Sequence, residues 1–211
     1  MAVCGDLQLT KFSVTFGVRG LPAPVHDEID RELSPCSLHF IENGRALIGS
    51  YVYAGMICWD VETCTIKWRI PAETRIGRSA LSPDHRSIVV CNLVDGFDRY
   101  RIDHQRRVQQ YSVRLGENIP LPVCFIHDGD ALLFGSACGD VSIVDEDDAS
   151  LIQVLHHPGL LVLGNPAYIV VDGNVSYIAT GTSERGKETK IRIWAKNPGA
   201  HMISLDDQVH L

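Results

Sequence analysis

The sequence predicts an all-β chain, an array of about four sheets of four strands each, and three observations carry that expectation. Turn dipeptides follow apolar runs at Asn43-Gly44, Asp84-His85, Asp128-Gly129 and Asp172-Gly173, so successive turns stand 41, 44 and 44 residues apart. Trp59, Tyr100 and Val144 each lie 16 residues after the first residue of their turn, and Trp194 lies 22 after Asp172, where "SERGKE" accounts for the difference. Each interval also repeats one order of elements: strand, tight turn, strand. A sustained period of this length is the mark of a repeat architecture.

The elements follow in order within each unit. First strands precede the turns as "CSLHFI" (36–41), "RSALS" (78–82), "PVCFI" (122–126) and "AYIVV" (167–171). Second strands read "RALIGS" (45–50), "SIVVCN" (87–92), "ALLFGS" (131–136) and "VSYIATG" (175–181), apolar and rich in β-branched residues. Third strands are "MICWD", "FDRYRI", "VSIVD" and "KIRIWAK", alternating large apolar with polar positions, and fourth strands are "TIKWRI", "VQQYSV", "SLIQVL" and "HMISL". One small twisted sheet has two apolar faces and cannot hide both, so it must stack on its neighbours. A large side chain near the end of each third strand fills the gap between sheets, which is why Trp59, Tyr100, Val144 and Trp194 keep one phase.

The units fall at 36–78, 79–122, 123–166 and 167–211. Ahead of them, "DLQLTKFSVTF" (6–16) alternates as a pair of strands does, and Val25, Ile29 and Leu33 keep helical spacing after Pro24. Residues 1–35 are therefore expected to hold part of a further sheet and a short helix.

"LSPDHRSIVVCNLVDG" and "MICWDVETCTIKW" resemble the WD40 repeat family, whose repeats carry a strand-turn pattern like Ser-Pro-Asp-Gly and a terminal Trp-Asp. Trp59-Asp60 keeps that dipeptide, Val144-Asp145 keeps the Asp, Trp194-Ala195 keeps the Trp, and Tyr100-Arg101 keeps neither. The resemblance implies a β-propeller, with degenerate repeats over residues 36 to about 205. Propellers close with 4–8 blades, and about four blades with a remnant leave the ring short. The chain is then a fragment of a longer propeller, a partial propeller completed by a second copy or another chain, or a tight ring.

Composition excludes other classes. With 45% hydrophobic and 21% charged residues the chain is globular, and its net charge of -7 with scattered Lys and Arg argues against nucleic acid as a ligand. No apolar run reaches the roughly 20 residues of a membrane span. The N-terminus lacks the basic start and apolar block of a secretory signal, which places the chain in the cytoplasm, with the nucleus also open to it. Seven cysteines, odd in number and without C-x-x-C, read as free, mostly buried thiols.

Motifs for catalysis, cofactors and metals fall short. "GTSERGKET" (181–189) follows the P-loop pattern to Lys187, but Glu188 replaces the magnesium-holding hydroxyl and a strand follows instead of a helix. "GSACGD" (135–140) lacks nucleophile-elbow spacing and reads as a turn, leaving Cys138 inert. The acids of "DEDDAS" (145–150) read as a solvated turn, and His156-His157 as a loop without a third zinc ligand. The sequence thus predicts no enzyme, no cofactor and no metal.

What remains is a surface. The propeller resemblance implies that turns between second and third strands share one face with the connections between blades, and that partners dock there. That face carries Tyr51, Tyr53, Arg75, Arg78, Arg114, Arg185 and Lys187, with Glu117 and the apolar run Leu160–Leu163 in neighbouring connections. Tyr and Arg supply contact area with a polar handle. The resulting expectation is a non-catalytic scaffold for a protein or peptide. The alternative is a propeller enzyme or small-molecule binder using the central channel, for which the first strands offer mainly His39.

Overall fold

The computed structural model describes residues 34–113, 119–156, 167–171, 175–182, 191–196 and 203–204, with backbone only at 167–171 and 203–204. All lie in the unit Arg31–Leu211. The expected strands and helix of residues 6–33, the run Leu160–Leu163 and most of "GTSERGKET" lie outside the described residues.

Among the described residues sixteen strands form four antiparallel sheets, each a meander of four consecutive strands. The first sheet holds β1 (Pro35–Ile41), β2 (Ala46–Tyr51), β3 (Gly55–Asp60) and β4 (Ile66–Ile70). The second holds β5 (Ser79–Leu81), β6 (Ser87–Cys91), β7 (Gly96–Arg101) and β8 (Arg106–Ser112). The third holds β9 (Val123–Ile126), β10 (Ala131–Phe134), β11 (Asp140–Asp145) and β12 (Leu151–His156). The fourth holds β13 (Ala167–Val171), β14 (Val175–Gly181), β15 (Ile191–Lys196) and β16 (Ile203–Ser204). Strand edges fall within a few residues of those read from the sequence.

Hydrogen bonds explain the recurring turn letters. In "SPDHRS" the Ser82 hydroxyl donates to the Asp84 carboxylate at 2.6 Å and accepts from the Ser87 backbone N–H at 2.9 Å. This local network closes the β5–β6 turn. After the third strands, Asp60 accepts from the N–H groups of Glu62 and Thr63 (3.1 and 2.9 Å), and Asp145 from those of Asp147 and Asp148 (2.9 and 3.2 Å). The Asp behind Trp59 and Val144 is therefore a turn cap.

Three apolar layers separate the sheets. Ile48, Met56, Cys58 and Ile70 of the first sheet meet Ile88, Val90 and Tyr100 of the second. Val89, Cys91, Phe97 and Tyr111 of the second meet Phe125, Leu132, Phe134 and Val144 of the third. There the Phe97 and Phe134 rings stack with centroids 4.1 Å apart and planes 13° from parallel. Ile126, Leu133, Val141, Ile143 and Leu155 of the third meet Ile178 and Trp194 of the fourth.

Tyr100, Val144 and Trp194 thus all face the preceding sheet, as their common phase requires. Trp59 keeps the same phase on the side away from the second sheet and is buried like the other three, although no described sheet precedes the first. First strands touch in series, β1 to β5, β5 to β9 and β9 to β13, and so line the inner side. Among the described residues the fourth sheet does not meet the first, and the series is open.

Candidate partner-binding face and inner groove

Glycine fixes the geometry of one end of the stack. Gly55 and Gly96 open the third strands at φ +71° and +148°, and a Cβ at either would collide with a carbonyl of the adjacent fourth strand, Ile70 O or Tyr111 O. In the first two sheets the turn before the third strand therefore lies hard against the chain leaving the fourth. Backbone bonds tie the two together. Ile76 N–H donates to Val52 O at 3.1 Å, Gly77 N–H to Cys91 O at 2.8 Å and Gly135 N–H to Pro122 O at 3.0 Å. Among the described residues, second-to-third turns and inter-sheet connections share one end.

This end brings Tyr51, Tyr53 and Arg75 together, with Tyr53 54% exposed and Arg75 exposed. Tyr51 is half-buried, and its hydroxyl accepts the Trp59 indole N–H at 3.2 Å. Arg78 is half-buried and borders the inner groove. Arg114, Glu117, Arg185 and Lys187 lie outside the described residues. Sequence reasoning missed Val94, which the Asn92 side chain holds at the turn tip by accepting the N–H groups of Val94, Asp95 and Gly96. The available signal was Asn92 itself, the opener of an Asx turn.

The inner strands β1, β5 and β9 border an open groove of about 560 Å³. His39 Nε2 lies 2.9 Å from Ser79 Oγ, which lies 2.8 Å from Ser50 Oγ, while Ser79 N–H donates to Ser37 Oγ at 3.0 Å. This relay joins the first two sheets. Burial pushes the His39 pKa down and the Cys36 and Cys124 thiols up, so the groove holds a neutral imidazole and protonated thiols. Neutral thiols are poor nucleophiles.

Other sequence candidates resolve into structure. Ser136 Oγ accepts from Cys138 N–H at 3.3 Å and Asp140 N–H at 3.0 Å, making "GSACGD" a turn. His156 belongs to β12, not to a loop, and its Nδ1 lies 2.8 Å from Asp140 Oδ1. The acidic turn is only partly solvated: Glu146 is largely buried and pairs with Arg99 at 2.7 Å, because the turn abuts the second sheet. Cys64 and Cys138 are exposed rather than buried, since both sit on turns. Among the described residues no cluster of His, Cys, Asp or Glu is disposed to hold a metal, and no helix is long and apolar enough to cross a membrane.

No protein-family model matches the chain, and no curated protein matches it in sequence. Solved structures do. "Structure of U3-55K" superposes with a TM-score of 0.64 at 15% identity, covering 82% of this chain and 52% of that one. "Crystal structure of RRP9 WD40 repeats" gives 0.64 and 15%, covering 82% and 51%. The fold is that of a WD40-repeat propeller. The chain spans about half the length of these WD40 structures, and its open series of sheets corresponds to part of such a ring. The fold expected from spacing and from Trp59-Asp60 is the one found, despite the degenerate repeat letters.

Proposed function

We propose that the chain is a non-catalytic scaffold of the WD40 type that presents the loop end of its sheets to a protein or peptide partner. One observation carries the reading. Backbone bonds such as Ile76 N–H to Val52 O at 3.1 Å hold turn and connection as one surface, with Tyr53 and Arg75 displayed on it. A rigid platform loses little entropy on binding, and an exposed tyrosine beside a guanidinium is hot-spot chemistry. Tyr51 supports the platform through Trp59, Arg78 borders its inner side, and Arg114, Arg185 and Lys187 belong to the same proposal. The partner is a protein rather than nucleic acid or membrane, since the net charge is -7. The setting is the cytoplasm or nucleus. Protonated thiols in the groove are poor nucleophiles and support the non-catalytic reading, while its volume of about 560 Å³ and the Arg78 at its border favour the second reading, a small-molecule site.

The test compares partner recovery by affinity purification from cell extract, using wild type, Tyr53→Ala/Arg75→Glu, and Lys67→Ala as a control on the outer strand of the first sheet. Loss of specific partners in the double variant alone supports the loop end. Equal recovery by all three overturns it.

A further inference from the structure

Among the described residues that line the inner groove, one side chain carries a charge, and it is positive. Arg78 stands at the lip with its Nε buried. Its main chain is pinned from both sides: the Arg78 carbonyl accepts the Cys91 N–H at 2.7 Å, and the next N–H, that of Ser79, donates to Ser37 Oγ at 3.0 Å. The guanidinium is thus rooted at a fixed point beside Ser37. Ser79 Oγ is held within the relay by His39 and Ser50, whereas the Ser37 hydroxyl proton has no described acceptor. No Asp or Glu is among these lining residues, and burial keeps His39, Cys36 and Cys124 neutral. In a chain of net charge -7, this groove favours anions over cations. Leu38, 61% exposed, and half-buried Val123 add an apolar wall.

We propose that the groove binds a small organic oxyanion, a carboxylate or phosphate monoester whose head takes hydrogen bonds from the Arg78 guanidinium and the Ser37 hydroxyl and whose apolar body lies along Leu38 and Val123. The inference rests on the second reading above, a small-molecule site, and adds the class of ligand. A guanidinium fork matches either head group, and a neutral ligand of the same shape gains no charge-assisted bond. A volume of about 560 Å³ suits one such molecule.

The experiment titrates the full chain with benzoate, phenyl phosphate and the neutral benzyl alcohol at fixed ionic strength, each to about 10 mM, and follows amide and methyl NMR shifts, which read a Kd near 1 mM. The variants are Arg78→Gln, Arg78→Lys, Ser37→Ala and, as a control on the exposed side of β4, Arg69→Gln. Urea midpoints establish that each is folded. At least one acid is expected to shift Leu38 and Val123 and to bind about tenfold or more tighter than benzyl alcohol. Arg78→Gln removes that preference, Arg78→Lys keeps the greater part of it, Ser37→Ala weakens the acid about threefold, and Arg69→Gln has no effect. The tighter acid distinguishes carboxylate from phosphate. Equal binding of benzyl alcohol and the acids, or an acid preference that survives Arg78→Gln, overturns the anion class and leaves the small-molecule reading standing. An absence of groove shifts with all three probes overturns both. The comparison of acids with the alcohol needs the wild type alone, so the test holds even where a substitution costs stability. Partner recovery at Tyr53 and Arg75 measures the loop-end reading independently.

Discussion

The Arg99 guanidinium crosses from the second sheet to the third and grips Glu146 twice, through its carboxylate at 2.7 Å and its backbone carbonyl at 2.9 Å. The Tyr111 hydroxyl donates to the same carbonyl at 2.7 Å. The layer between these sheets is apolar inside and latched at its outer side by this polar contact.

Removing one partner of that latch leaves the other desolvated. Arg99→Met is expected to lower stability at pH 8 by about 2 kcal/mol, below the cost of breaking a fully buried pair because both side chains keep some exposure. Urea denaturation reads the difference. Glu146→Gln, which still accepts from Arg99, costs less.

Burial pushes the Glu146 carboxyl up from 4.5 to about 7, with Arg99 pulling the other way. Between pH 4.5 and 7 the folded chain holds a proton that the unfolded chain releases, so this group's contribution is greatest below 4.5 and is lost as pH rises to about 7. His39 has the opposite sign: its pKa is lowered from 6.5, so the stability it contributes is lost as pH falls below that value. Difference curves of stability against pH separate the two. Wild type minus Glu146→Gln falls with rising pH, and wild type minus His39→Gln rises.

The Phe97–Phe134 stack fills the layer between the second and third sheets, and both rings are fully buried. Phe134→Ala removes a large ring and leaves a cavity, at an expected cost of about 3–5 kcal/mol in chemical denaturation. Phe134→Leu, which refills most of that volume, recovers at least half of the loss.

Gly96→Ala tests the crowded start of a third strand. With φ +148° and the Tyr111 carbonyl against any Cβ, the strand must shift, and a loss of about 2 kcal/mol or more is expected. Gly44→Ala, in open space at φ +84°, bears conformational cost alone and loses about 1 kcal/mol. Equal losses would show that the close approach has no energetic weight.

Sheet order was readable from the chain because turns and large residues keep step, and each strand's apolar content follows from being sandwiched. Tyr100 and Val144 could be placed in layers although neither is a tryptophan, since phase rather than residue type sets the face. Trp59 could be read as a covered residue and is buried, but its own repeat does not record what covers it on the side away from the second sheet. Glu146 looked like one acid among four, because nothing in "DEDDAS" records that the turn abuts Arg99, 47 positions earlier. Val94 was hidden for a similar reason, as a valine among apolar strand residues that an Asx turn lifts to a tip.

Among the described residues every strand pairing joins neighbours in the chain, and every apolar layer joins successive sheets. Such a chain is suited to folding in step with its own synthesis, each meander zipping as soon as its fourth strand leaves the ribosome. A finished sheet then waits about 44 residues for its cover, an interval of roughly 2–9 s at 5–20 residues per second. During that time one greasy side stands bare, and pausing within the stretch 113–122 would prolong the period in which a nascent chain needs a chaperone.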